Sequence, residues 1–139
     1  MKAPKLENSR TFKNVRLAFA DEAELVLRYL YCATLAEFEG LEKHAALFRE
    51  IAEGGTCNAH GCLDFLKLAQ APDSEISFGG TLRNLESLVR SETRQHEQTY
   101  PEMAKAAREE GLPDIASWFE TLEKAKRAHV RRLKGLGHE

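Results

Sequence analysis

The sequence lacks the features that mark membrane, secreted and nucleic-acid-binding proteins. No apolar run approaches the roughly 18 residues needed to span a bilayer, and the first residues, MKAPKLENSR, lack the apolar core of a signal peptide. The 20 basic and 22 acidic side chains nearly cancel, so no excess of one charge favours nucleic acid or anionic lipid. We therefore expect a cytoplasmic protein that binds neither nucleic acid nor a membrane.

Cysteine is also scarce. The three cysteines, Cys32, Cys57 and Cys62, are odd in number and do not have the spacing of a disulfide framework, which fits a reducing compartment. Three cysteines cannot build a four-cysteine iron or zinc site within one chain. A length of 139 residues is enough to bury a sizeable core, so the sequence predicts a single domain over residues 1–139.

Alternating strand patterns are almost absent, and glycine and proline divide the chain into four stretches with helical periodicity. Gly40 ends the first stretch, while Gly111 and Pro113 separate the last two. The only long break lies near residues 70–80, so we expect a crossover there that joins two antiparallel helix pairs. The sequence thus predicts an all-α, ferritin-like four-helix bundle, with helices at about 12–38, 41–69, 81–110 and 113–134.

The apolar stripe of each predicted helix is interrupted near its middle. Polar groups that meet halfway along four helices are typical of a site in the core of a bundle. Alternatively, each stripe shifts by one residue and the interrupting groups lie at the rim of the bundle. The interruptions are Glu22 in the first helix, Gly55 with Asn58 in the second, Glu92 with Gln95 in the third, and Lys126 with His129 in the fourth.

Four stretches of the chain resemble those of a known family: NVRLAFADEAELVLRYLYCA, ALFREIAEGGTCNAHGCLDFL, TLRNLESLVRSET and TYPEMAKAAREEGLPDIASWFETLEKAKRAH. Together they run from about Phe12 to Arg132 and resemble the helical domain of rubrerythrins. The resemblance implies a homodimeric di-iron protein of the ferritin-like superfamily that reduces hydrogen peroxide and serves in oxidative-stress metabolism. Rubrerythrins usually receive electrons from a rubredoxin domain; because this sequence has no CxxC pair, the donor is expected to be a separate protein.

The resemblance also implies a set of metal ligands, which this sequence matches only in part. The family takes one glutamate from the first helix, ExxH from the second, ExxE from the third and ExxH from the fourth. No histidine of this chain has a glutamate three residues before it. The resemblance therefore implies a di-iron site that is altered or lost: Glu22, Glu92 and His129 match, whereas Gly55, Asn58, Gln95 and Lys126 stand at the other four positions.

Other residues extend this candidate site. If the match to the family pattern shifts by one residue, His96 or Glu97 falls at a ligand position. His60 would add a donor if it turned toward the core. By resemblance Tyr29 lies near the metals, although a core aromatic residue is the simpler interpretation. Pro101 predicts a kink in the third helix, because it lacks the N–H group of a helical residue.

Three hypotheses describe what this altered site does. In the first, Lys126 pairs with Glu22 and Glu92, and neutral polar side chains and His129 complete an ion-pair network that replaces the iron. In the second, Glu22, Glu92 and His129 hold a single iron, manganese or zinc ion, with Cys62 as a further ligand that favours zinc. In the third, Cys57 or Cys62 is a reactive thiol, against the simpler interpretation that all three cysteines are small buried apolar residues.

The segment AEGGTCNAHGC, residues 52–62, raises a separate question. Its adjacent glycines, Gly54 and Gly55, each cost roughly 1 kcal/mol of helix stability relative to alanine. The sequence shows no structural gain that offsets this cost. We therefore expect the glycines to leave room for Lys126 or for a small ligand.

Overall fold

A computed structural model of the chain describes residues 5–69 and 78–136. Over these ranges the chain is helical and contains no strand, which confirms the all-α fold class. Most of the predicted crossover near 70–80 lies outside the described residues. The elements are a 3-10 turn (Leu6–Asn8), α1 (Arg10–Phe38), α2 (Glu42–Leu68), α3 (Thr81–Arg94), a π-helical segment (Gln95–Thr99), α4 (Tyr100–Glu109) and α5 (Pro113–Leu136).

The contacts divide the chain into two compact units, Met1–Pro72 and Asp73–Glu139. The first unit contains α1 and α2, and the second contains α3, the π segment, α4 and α5. Each unit is a helical hairpin. The prediction of a single domain over residues 1–139 stays a prediction. No described helix is long and apolar enough to cross a bilayer.

In the first hairpin, Ser9 caps the N-terminus of α1, where its Oγ accepts a hydrogen bond from the Phe12 N–H. The turn after α1 contains Gly40, which has a φ of 78° that a residue with a side chain rarely adopts. There the Leu41 N–H donates to the Ala36 carbonyl at 2.8 Å, the pattern of a Schellman turn. This turn returns the chain so that α2 packs against α1.

The α1–α2 seam is made of small side chains, so the two helices lie close together. Tyr29 and Phe48 pack ring against ring at 6.1 Å between centroids, and Arg49 forms an ion pair with Glu37 at 2.7 Å across the hairpin. The buried residues of the first hairpin are Ala33, Ala36, Ala45, Ala52, Ala59 and Leu66.

The second hairpin repeats this construction between α4 and α5. Gly111 has a φ of 77°, and the Leu112 N–H donates to the Ala107 carbonyl at 2.8 Å. Tyr100 and Phe119 stack with 6.3 Å between ring centroids. An ion pair again spans the hairpin, here between Arg108 and Glu120. The buried apolar residues are Ala104, Ala107, Ala116 and Val130.

After the π segment, residues of the second hairpin lie at one constant offset from their counterparts in the first. Gly40 and Gly111 lie 71 residues apart, and the same offset relates the tyrosine–phenylalanine pairs, the ion pairs and most of the buried alanines. Before the π segment the offset is 70, since it relates Glu22 to Glu92. The π segment therefore accounts for one additional residue in the second hairpin.

This π segment interrupts the helix that the sequence predicts over 81–110. The Tyr100 N–H donates to the Gln95 carbonyl five residues earlier, one residue further than in an α-helix. Pro101 is the second residue of α4, so the interruption lies just before the residue at which the sequence predicts a kink. The additional residue rotates α4, so that Ala104 is buried and Met103 is exposed.

Candidate functional site

The centre of the candidate site is the carboxylate of Glu92, on α3 of the second hairpin. Lys126 Nζ donates to Glu92 Oε1 at 3.0 Å, and His129 Nδ1 lies 3.0 Å from the same oxygen. Lys126 and His129 are three residues apart on α5, so both project from one face of that helix. The side chains of Glu92 and Lys126 are 19% and 25% exposed, so this ion pair is partly shielded from water.

The protonation of Glu92 reflects these two neighbours. Burial by itself would raise the pKa of Glu92, because a carboxylate loses hydration there. The hydrogen bonds and the positive charge supplied by His129 and Lys126 outweigh burial and hold the pKa of Glu92 below its ordinary value. Glu92 is therefore a carboxylate at neutral pH, already engaged by two donors.

The same residues border an open cavity of about 420 Å³. Glu92 and His129 form its polar side, and Leu133 and Leu136 form its apolar side. Arg132 also lines the cavity, one turn beyond His129 on α5. All of these residues belong to the second hairpin, so the cavity needs no residue from the first.

Two positions of the second hairpin carry other residue types than the family pattern implies. Gln95, which is partly buried in the π segment, is neutral where the family pattern has a carboxylate. Lys126, at another of these positions, brings a positive charge to Oε1 of Glu92. Across residues 5–69 and 78–136, no three His, Cys, Asp or Glu side chains converge to hold a metal ion.

In the first hairpin the corresponding positions form a packing contact. A Cβ atom on Gly55 would lie 2.9 Å from Val26 Cγ2, closer than carbon atoms approach each other. The expectation that Gly55 leaves room for Lys126 or a small ligand is therefore wrong, because Val26 of α1 already occupies that space. Gly54, its neighbour, faces nothing within 4 Å. Asn58, the other altered position of α2, is exposed.

Glu22, the counterpart of Glu92, is half-buried on α1. Within the part of the chain that the structure describes, it has neither a hydrogen bond nor an ion pair. Glu22 belongs to the first hairpin, whereas Lys126 belongs to the second. The network that joins them, and the single-metal site of Glu22, Glu92 and His129, stay predictions.

The remaining candidate residues lie in varied surroundings. Tyr29 packs on Phe48, as expected for a core aromatic residue. Glu97 and His60 are exposed, whereas His96 is partly buried in the π segment. Among the cysteines, Cys62 is partly buried, but Cys32 and Cys57 are exposed. The interpretation that all three cysteines are buried is therefore wrong for two of them.

Two features of the site are not predicted from the sequence. One is the π segment, whose signal is the change of offset from 71 to 70 between the two halves of the sequence. The other is the contact of Val26 with Gly55. No local pattern reveals that contact, since it depends on how α1 and α2 are aligned along each other.

Comparison with known proteins identifies the family. The family model described as Rubrerythrin matches residues 62–137. The rubrerythrin of Porphyromonas gingivalis is 33% identical over 137 residues, covering 94% of this chain and 68% of that protein. The rubrerythrin of Nitratidesulfovibrio vulgaris is 32% identical over 134 residues, covering 92% and 69%, and that of Clostridium perfringens is 30% identical over 139 residues, covering 94% and 71%.

Rubrerythrins are generally iron-binding proteins of the ferritin-like class, and their helical fold class is the one found here. The matches cover both hairpins, including the segment around Gly55 and the segment around Lys126. The chain therefore belongs to the rubrerythrin family.

Proposed function

We propose that this chain is a rubrerythrin-family protein of peroxide and oxidative-stress metabolism in which the usual di-iron peroxidase site is lost. An ion-pair network centred on Glu92 stands at the ligand positions of the second hairpin. The observation that carries the proposal is the 3.0 Å contact between Lys126 Nζ and Glu92 Oε1. An ammonium group hydrogen-bonded to a ligand carboxylate neutralises it without any metal.

The charges support this proposal. A di-iron site concentrates carboxylates that only the metal ions hold together, because like charges in a low dielectric repel. In the second hairpin Gln95 removes one of these negative charges and Lys126 exchanges another for a positive charge. The remaining carboxylate, Glu92, has its charge balanced within the hairpin.

The packing of the first hairpin supports the proposal independently. Restoring a glutamate at position 55 requires a side chain where Val26 Cγ2 lies 2.9 Å from the added Cβ. Valine in a helix has one strongly preferred rotamer, so it does not swing aside at low cost. The hairpin is thus built around the absence of that ligand.

Metal analysis of the purified protein tests the proposal. Protein expressed with ample iron is expected to contain far less than one iron per chain and to lack the near-ultraviolet absorption of an oxo-bridged di-iron centre. Two irons per chain with that absorption would refute the proposal. One equivalent of zinc, iron or manganese that is lost on Glu92→Ala would instead establish the single-metal site.

A peroxidase assay supplies the functional half of the test. The protein is expected to consume hydrogen peroxide no faster than a Glu92→Gln variant, even with an added rubredoxin as the separate electron donor. Turnover that depends on both Glu92 and the donor would show that the family activity survives.

A further inference from the structure

The cavity beside Glu92 carries more positive charge than its one carboxylate balances. Lys126 by itself neutralises Glu92, to which it donates a hydrogen bond at 3.0 Å. Arg132, which lines the same cavity, adds a second full positive charge, because a guanidinium is always protonated in proteins. Arg132 has neither a hydrogen bond nor an ion pair among the described residues. The described part of the second hairpin therefore leaves this cation unneutralised.

The first hairpin has no such cations at the equivalent positions. In α5 the three cations, Lys126, His129 and Arg132, follow one another at steps of three residues, on one side of the helix. At the offset of 71 residues their counterparts on α2 are all uncharged: Gly55, Asn58 and Gly61. A hairpin of this construction therefore forms without cations here, so the helical framework is not the reason for them.

Next to the cations the cavity is apolar. Leu133 and Leu136 form its apolar side. At 100° per residue, His129, Leu133 and Leu136 lie within about 60° of one another around α5, and at 1.5 Å per residue they span about 10 Å along it. The volume of about 420 Å³ is within the range of small-molecule sites. The cavity thus combines a cationic end with an apolar wall.

These properties are set within the second hairpin, to which every lining residue belongs. Removing an unpaired charge from water is costly. The cationic end therefore either stays in contact with water or receives an anion, whatever else packs against this hairpin. In both cases Arg132 is available to a negatively charged group.

We propose that this cavity binds a small monocarboxylate that carries an apolar chain. The carboxylate of the ligand accepts hydrogen bonds from the Arg132 guanidinium, whose fork of N–H groups matches two carboxylate oxygens. The apolar chain packs along Leu133 and Leu136 and is thereby removed from water. This inference rests on the proposed function, because Glu92 and His129 would ligate iron if a di-iron centre were present.

Calorimetric titration of the full chain with sodium octanoate tests the proposal. We expect a dissociation constant below about 1 mM. Two matched compounds separate the parts of the ligand: acetate lacks the apolar chain, and octanamide lacks the negative charge. Each is expected to bind at least about tenfold more weakly than octanoate. This comparison needs no variant, so it holds even if a substitution impairs folding.

A pair of arginine variants locates the site. Arg132→Gln is expected to weaken octanoate binding at least about tenfold, because it removes the charge that holds the carboxylate. The matched control is Arg131→Gln, an exposed arginine outside the cavity lining, which is expected to leave the affinity unchanged. Leu136→Ala is expected to weaken octanoate binding by about threefold or more and to leave acetate unaffected, since it shortens only the apolar wall. Circular dichroism shows that each variant is folded.

Glu22→Gln tests whether the chain supplies its own anion. Glu22 has neither a hydrogen bond nor an ion pair among the described residues. We expect equal octanoate affinity in the wild type and in this variant. Octanoate binding that occurs only in Glu22→Gln would show that the glutamate takes the place of the ligand, and would overturn the proposal.

Three other results would overturn the proposal. They are no octanoate binding by the iron-free protein, equal affinities for octanoate and acetate, and equal losses of affinity in Arg131→Gln and Arg132→Gln. The iron content of the same sample separates this proposal from the proposed function. Iron-free protein that does not bind octanoate refutes the ligand alone, whereas two irons per chain refute both.

Discussion

The two hairpins share one construction but differ at the equivalent positions of the site. In the first, Gly55 packs under Val26; in the second, its counterpart Lys126 binds Glu92. The counterpart of Val26 is Glu97, which is exposed. The same helical framework thus accommodates either a close packing contact or an ion pair at this position. Equivalent positions of one framework thus serve packing in the first hairpin and charge pairing in the second.

The two hairpins also differ in the surroundings of their equivalent carboxylates, Glu22 and Glu92. Glu92 has two partners within its own hairpin, whereas Glu22 has no hydrogen bond or ion pair among the described residues. A partly buried carboxylate loses hydration, and hydrogen-bond donors close to it compensate for that loss. Glu92 therefore has its charge balanced within the second hairpin, whereas Glu22 has no such partner among the described residues.

The largest expected effect comes from a glutamate at position 55. Gly55→Glu is expected to lower the free energy of unfolding by about 2 kcal/mol, because the new side chain meets Val26. Chemical denaturation measures this loss. Adding Val26→Ala is expected to recover most of it, and independent, additive effects of the two substitutions would contradict the packing account.

Removing the cation of the second hairpin has the next largest effect. Lys126→Met is expected to lower the free energy of unfolding by about 1 to 2 kcal/mol, because Glu92 keeps only His129 as a partner. The matched control is Lys124→Met, an exposed lysine two residues earlier on α5, which should change stability by less than about 0.5 kcal/mol. Equal effects at both positions would show that the ion pair is unimportant.

Substitution of Gly54, the neighbour of Gly55, is expected to change stability in the opposite direction. Gly54→Ala is expected to raise the free energy of unfolding by about 1 kcal/mol, since alanine favours the helix and the new Cβ meets nothing within 4 Å. The thermal unfolding midpoint should rise accordingly. If Gly54→Ala instead destabilises the protein as Gly55→Glu does, the distinction between the two glycines is wrong.

The smallest effect concerns pH. Because the pKa of Glu92 is lowered on folding, its contribution to stability is complete above the ordinary carboxyl pKa of 4.5 and is lost as the pH falls through the lowered value. Glu92→Gln removes this contribution, so the stability of the variant should depend less on pH below about 4.5. Parallel curves for the two proteins, measured by denaturation across this range, would contradict the assignment.

Much of the helical framework follows from local signals. Gly40 and Gly111 adopt the positive φ expected of helix-ending glycines, and the predicted helices at 12–38, 41–69 and 113–134 agree with α1, α2 and α5 to within two residues. Helical spacing also places Lys126 and His129 on one face. These features depend on residues close together in the sequence, which is why the sequence predicts them.

The features that sequence interpretation missed depend on contacts between helices. The π segment buries Ala104 rather than Met103, and the pattern of apolar residues does not by itself reveal an added residue. The small residues at the seams fix how closely the helices approach, and only then does Val26 lie against Gly55. A stripe of apolar residues shows which side of a helix faces its neighbour, but not how closely the two helices approach.

The central claim is that packing at Gly55 and the charge of Lys126 stand in place of a metal centre. The most direct measurement compares the iron content of the wild type with that of a variant carrying Val26→Ala, Gly55→Glu, Asn58→His, Gln95→Glu and Lys126→Glu. Both proteins are expressed with ample iron and analysed after removal of loosely bound metal. We predict about two irons per chain in the variant, matching the restored ligand set, and essentially none in the wild type. Equal iron in both proteins would contradict the account.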